Sequence, residues 1–251
     1  MSPWEIQLLY SGFAFIRGTT FLLLIPFLGG SRLPTSLTIS IAAGLALLIG
    51  PDASLVLPKD LLSLFLLALK EGFIGFLMSF GVYLTYSIFE FAMQIVSNEM
   101  GFSMSSVLDP LTDKTHNPLE SLFLYTLTII IFISNTHHTL LIAFKNSFHY
   151  FPIHVLGSFL NVSALLEAVG YVFLMGLQIG APLVAANFLI NMTFFILGKA
   201  APKINVFVIS FAVRALAGFT ILLFILRLLF QYILEEALAT PQRMLTPFLY
   251  G

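Results

Sequence analysis

The sequence has no cysteine. Disulfides, iron–sulfur clusters and thiolate zinc sites are therefore excluded. Charge is scarce as well. Of 251 residues, 12 are acidic and 11 are basic, together 9%, whereas an ordinary soluble domain carries about 25%. So few charges cannot hydrate the surface of a chain this long. A cytosolic globular enzyme, a disordered chain and a small disulfide scaffold are ruled out. The net charge of −1 gives no bulk attraction to nucleic acid. Residues 1–12 carry one charge, Glu5, and no basic stretch, so they do not read as a cleaved signal peptide.

Catalytic signatures are missing too. There is no His-Glu-x-x-His, no Gly-x-Ser-x-Gly and no phosphate-cradling loop. His137 and His138 are adjacent, so on a helix they point about 100° apart and do not readily share one metal. They read as helix-end polar residues, with a ligand or proton role as the alternative. No catalytic residue, cofactor or metal site is expected.

Apolar residues are abundant, at 59%. The mean hydropathy is +1.00. The apolar content is spread along the chain, which is read as one integral membrane domain over 1–251. A bilayer span needs about 20 mostly apolar residues. Spans are expected over Gln7–Leu28, a short Ser36–Ile49, Asp60–Asn98, Leu119–Phe144, Val162–Leu197 and Ile204–Leu238. Asp60–Asn98 is too long for one span, and Gly72, Gly75 and Gly81 offer places to bend. Pro182 is expected to kink or split the fifth region. Lys145–Asn161 reads as an interfacial connection, and the tail from Ala239 as frayed. Six to eight helices follow, with weak strand signals and no obvious repeat. On a six-helix count, Arg32, Lys114, Lys199 and Lys203 fall on one side and Lys59, Lys145 and Arg243 on the other. That shows no positive-inside bias, which argues against simple consecutive spans.

Ser79, Tyr83, Ser87, Glu90, Gln94 and Asn98 recur every three or four residues. On a helix they form one polar stripe. A charge in hydrocarbon costs at least about 2.5–3.5 kcal/mol, so Glu90 must face protein or water. The stripe serves either as interhelical hydrogen-bond glue or as the lining of an aqueous conduit or of a partner's polar face. Arg214, deep in the last helix, needs a partner, with Glu71 and Glu90 as candidates. Gly176 and Gly180 have the spacing that permits close helix contact. The segment 101–118 mixes Phe102, Met104, Val107 and Leu108 with Ser, Asp and Thr. It is either a surface loop or a deformable stopper in a cavity, for which Met is suited.

Three stretches together resemble the FliR/SctT family. The first is Arg17, then Pro26-Phe-Leu-Gly-Gly-Ser-Arg-Leu-Pro34, Ala42-Ala43-Gly44-Leu45 and Pro51. The second is Glu71-Gly72-x-x-Gly75, then Met100-Gly101-Phe-Ser and Asp109-Pro110. The third is Leu197-Gly198-Lys-Ala-Ala-Pro202-Lys-Ile-Asn205-Val-Phe207. The resemblance covers essentially the whole chain. It implies an all-α fold of helical hairpins with broken helices, built for a helical multi-subunit pore. It implies a non-enzymatic export-gate subunit of flagellar or type III secretion systems, in the bacterial inner membrane at a basal body. The implied partners are FliP-like, FliQ-like and FlhB-like subunits, with unfolded proteins in transit. It implies a plug in the loop Gly101, Phe102, Met104, Val107, Leu108, Asp109 and Pro110. The family commonly has Gln before Met-Gly and Glu five residues earlier; Glu99 and Gln94 stand there as if exchanged, which moves the charge toward the loop. The family's Ala-Pro-Gln is Ala201-Pro202-Lys203 here. The competing reading is a secondary transporter of small solutes, with broken helices near Gly72–Gly81 and Pro182 and with Glu90 and Arg214 as site charges. An intramembrane hydrolase lacks a nucleophile motif.

Overall fold

Within hydrocarbon, each unpaired backbone N–H or C=O costs several kcal/mol, and a helix satisfies them inside one segment. The computed structural model describes residues 3–28, 33–49, 60–102, 118–154, 161–201, 203 and 205–245. Seven helices occupy these residues, and no strand occurs among them. They are α1 (Pro3–Leu24), α2 (Thr35–Leu48), α3 (Leu61–Glu99), α4 (Pro118–Ile133), α5 (Thr136–Tyr150), α6 (Val162–Ala200) and α7 (Val206–Leu245).

Short polar side chains start three of them. The Asp60 carboxylate accepts the Ser63 N–H at 3.3 Å. Asn161 Oδ1 accepts the Ala164 N–H at 3.1 Å, and Asn205 Oδ1 accepts that of Val208 at 3.4 Å. Each satisfies an N–H that has no partner inside its own helix.

The chain divides into two compact units. One comprises Met1–Thr85, Ile131–Ala168 and Leu238–Gly251; the other comprises Tyr86–Ile130 and Val169–Ala237. In the first, the Phe144 ring stacks on Phe21 at 5.2 Å between centroids. Gly18 admits that ring, since a Cβ there would lie 3.4 Å from it. α3 meets the end of α7 at Gly81, where a Cβ would sit 2.7 Å from both the Arg243 carbonyl oxygen and the Met244 Cα. In the second, Gly176 and Gly180 bring α6 against Phe91 and Ile95 of α3. The Phe91 ring meets Phe173 edge-on at 5.3 Å. Tyr86 and Thr128 share a hydroxyl–hydroxyl bond of 2.8 Å.

The glycines at 72, 75 and 81 do not break α3, which runs as one 39-residue helix. Gly75 and Gly81 are packing points, because the missing side chain lets a neighbouring backbone approach. α6 also runs unbroken through Pro182. The fourth region breaks instead, at Asn135, which takes the left-handed conformation with φ 57. The chain bends there by 71°, and His137 and His138 fall in the first turn of α5 rather than inside one long helix. The expected connection 145–161 is helical as far as Tyr150. The expected frayed tail continues α7 to Leu245.

Length constrains how these helices meet a bilayer. A 39-residue helix is about 58 Å long, against about 30 Å of hydrocarbon. Fitting it inside by tilt alone needs about 59°, beyond the 0–40° range. α3, α6 and α7 therefore extend beyond the hydrocarbon. Yet α6 and α7 expose large apolar residues along most of their length, from Leu166 to Ile196 and from Val208 to Leu238.

Candidate functional site

The first concentration of chemistry is a buried charged knot. Arg17 of α1 and Glu71 of α3 are both fully buried. Arg17 Nε donates to Glu71 Oε2 at 2.6 Å. Its Nη1 donates to Ser147 Oγ and its Nη2 to the Phe151 carbonyl, both at 2.9 Å. The guanidinium also lies over the Phe148 ring, 4.0 Å from the centroid. Lys70 Nζ sits 3.0 Å from Glu71 Oε1 and donates to the Pro152 and Ile153 carbonyls at 2.8 Å.

Two cations thus meet one carboxylate. The remaining positive charge faces carbonyls at the C-terminal end of α5, where the helix dipole is negative. Glu71, one of the two candidate partners for Arg214, pairs instead with Arg17 and Lys70. α3 packs on Ile16 and Thr20 at Gly72, where a Cβ would meet them in ordinary van der Waals contact at 3.6 and 3.8 Å. At Gly75 a Cβ would collide with the Arg17 carbonyl oxygen and Thr20 Oγ1. Arg17, Glu71 and Gly72 of the expected motif are therefore one structural element. Pro26 opens the turn after α1 and is half-buried. A Cβ on Gly198 would lie 3.6 Å from Val206 Cγ2 at the α6–α7 turn, where Asn205 caps α7. Pro202 and the Phe207 side chain lie outside the described residues.

The second feature is one face of α3. Leu61, Leu62, Phe65, Leu66, Leu69, Phe73 and Phe76 are exposed. Tyr83 (44% exposed), Gln94 and Asn98 continue the same face, with Ser87 and Glu90 half-buried. At 100° per residue all of these fall within one sector of the helix. The exposed face is apolar over its first half and polar over its second. Ser79 is buried at the change, its hydroxyl donating to the Phe76 carbonyl at 2.8 Å.

The third feature is the end of α3. The Phe102 N–H donates to the Ser97 carbonyl at 2.9 Å and the Gly101 N–H to that of Asn98 at 3.0 Å. Gly101 has φ +85. This is a Schellman cap, whose left-handed residue favours glycine. A Cβ on Gly101 would also lie 2.9 Å from the Phe211 ring. Phe102 meets Phe219 edge-on at 5.9 Å. Met104, Val107, Leu108, Asp109 and Pro110 lie outside the described residues.

Sequence reasoning missed Ser147, Phe148 and the 151–153 carbonyls, because no motif marks them. It also missed Asn187, which donates through Nδ2 to Glu99 Oε2. Among the described residues, no group of three or more His, Asp or Glu is placed to hold a metal.

Comparison with known proteins places the chain. The family described as "Bacterial export proteins, family 1" matches residues 8–239. The Flagellar biosynthetic protein FliR of Bacillus subtilis (strain 168) is 29% identical over 227 residues, 86% of this chain and 85% of that protein. The protein of the same name from Escherichia coli (strain K12) is 27% identical over 62% of this chain and 60% of its own length. The Yop proteins translocation protein T of Yersinia pestis is 27% identical over 68% of this chain and 67% of its own length. With the family match spanning nearly the whole helical chain, the buried Arg17–Glu71 knot, the α3 cap and the α6–α7 turn included, the chain belongs to family 1 of the bacterial export proteins.

Proposed function

We propose that the chain is a non-catalytic subunit of a flagellar or type III secretion export gate. It acts as a single gate domain in the bacterial inner membrane. FliP-like and FliQ-like subunits complete a protein-conducting pore with it, and a FlhB-like subunit meets that pore's entrance. Unfolded proteins pass through; the chain takes no cofactor and no nucleic acid.

One observation carries the reading. Three helices are about twice as long as hydrocarbon is thick, yet two of them, α6 and α7, expose apolar surface along most of their length. Partner subunits cover such surface where lipid does not reach. Membership of an export family agrees. The polar half of the α3 face, Tyr83 to Asn98, is then the part turned to water in the conduit or to a partner's polar face. The segment beginning at Gly101, with Phe102, Met104, Val107, Leu108, Asp109 and Pro110, is the plug. Against a solute transporter, α3 is continuous at Gly72–Gly81 and α6 at Pro182, where such a carrier would need breaks.

Deleting Phe102–Leu108 tests the plug. Co-purification with the partner subunits should persist, while ion conductance of membranes holding the assembly should rise. Unchanged conductance with intact assembly overturns the plug role.

A further inference from the structure

Glu99, Met100, Leu183, Asn187, Arg214 and Gly218 line a small cavity between α3, α6 and α7. It leaves about 10 Å³ for the centre of a water-sized molecule, the room of a single water. Asn187 is only 8% exposed. Its Nδ2 is spent on Glu99, while its Oδ1 is buried with no hydrogen-bond partner. Arg214 Nε is likewise buried with no partner. A leftover acceptor and a leftover donor thus line one water-sized space beside a carboxylate.

We propose that this cavity is a binding site for one ordered water, which completes a polar lock joining α3, α6 and α7. The water accepts from Arg214 Nε–H and donates to Asn187 Oδ1, with Glu99 as second acceptor. That gives it three polar partners, the usual number for a buried water. A cation is disfavoured by the guanidinium and an anion by the carboxylate, so a neutral molecule that both donates and accepts is selected. The lock holds the last residues of α3 in place. Met100 is seated there against Gly218, where a Cβ would fall 2.8 Å from its Sδ. The site does not depend on the export reading.

Two measurements test it, both on the full chain in its membrane assembly. An experimental density map that resolves ordered water should show one between Asn187 Oδ1 and Arg214 Nε; a dry cavity, or a bound ion, overturns the proposal. The chain lacks cysteine, so Met100→Cys supplies a single buried thiol whose maleimide labelling reports opening of the lock. Asn187→Leu keeps the branched skeleton but removes the amide, and labelling should rise about tenfold or more, since bonds to charged groups are the stronger ones. Asn187→Ser keeps an oxygen and makes room for a second water, and labelling should stay near the parent rate. If packing alone mattered, Ser would open the site more than Leu, and that result overturns the lock. If Asn187→Leu does not accumulate in the membrane, Arg214→Lys keeps the charge without Nε–H and should raise labelling likewise. An unchanged rate in that variant also overturns the lock.

Discussion

Arg17 and Glu71 are 54 residues apart in sequence and 2.6 Å apart in the fold, and neither side chain is exposed. Removing one partner of a buried pair leaves an uncompensated charge and costs about 3–5 kcal/mol. Glu71→Ala leaves two cations with no carboxylate, and should lower thermal stability more than Arg17→Ala, which leaves Lys70 paired with Glu71. Arg17→Lys should not rescue, because a compact ammonium cannot reach Glu71, Ser147 and the Phe151 carbonyl together in fork geometry. Thermal unfolding of the purified assembly checks the order of the three variants.

Glycine substitutions should split by what a Cβ would meet. At Gly75 it would strike the Arg17 carbonyl, and at Gly81 the Met244 Cα. Gly75→Ala and Gly81→Ala should destabilise by about 1–3 kcal/mol through overpacking. At Gly12 and Gly44 nothing lies within 4 Å. Alanine there should stabilise by up to about 1 kcal/mol, the helix-propensity difference. Melting temperatures of the four variants should fall into these two groups.

Gly101→Ala combines two penalties. It places a side chain at φ +85 and a methyl against the Phe211 ring. A left-handed non-glycine residue costs about 1–2 kcal/mol. The expected outcome is early fraying of the α3 C-terminus, read as faster amide hydrogen exchange at Asn98 to Phe102 with little change at Leu84 to Ala92.

The exposed face of α3 should label unevenly. In this cysteine-free chain, Tyr83→Cys, Gln94→Cys and Asn98→Cys should react with a charged, water-borne thiol reagent in the assembled membrane complex. Phe65→Cys and Phe73→Cys should resist it, since lipid or an apolar partner covers that half. Equal labelling along the face would remove the reason to turn its polar half toward water.

Several element boundaries were legible because their signals are local. Asp60, Asn161 and Asn205 mark the helix starts they cap, and the Met100–Gly101 step marks the end of α3. Gly75 and Gly81 are close packing points in an unbroken helix, a use that the sequence does not distinguish from a bend. Pro182 does not split α6, because a helix tolerates one lost backbone bond where its surroundings hold it. The break at Ser134–Asn135 carried too weak a signal, since asparagine only modestly favours the left-handed conformation.

The site divides along the same line. The polar periodicity of 83–98 is a property of one helix and was visible at once. That this stripe shares a face with the exposed apolar run 61–76 emerged only when neighbouring helices had covered the rest of α3. Arg214 was legible as a charge needing company, yet its neighbours in the cavity are Glu99 and Asn187, on two other helices.

By itself, the sequence determined that this is a helical membrane-associated protein, because apolar content and charge scarcity act regardless of arrangement. It determined the polar stripe as well, since that rests on residues within a few positions of each other. Only the tertiary structure decided that Arg17 takes Glu71, that Lys70 and Arg17 close the end of α5, and that Asn187 and Arg214 line one cavity. The physical reason is that a buried charge is satisfied by whichever group three-dimensional packing brings within about 3 Å, and separation along the chain does not encode that distance.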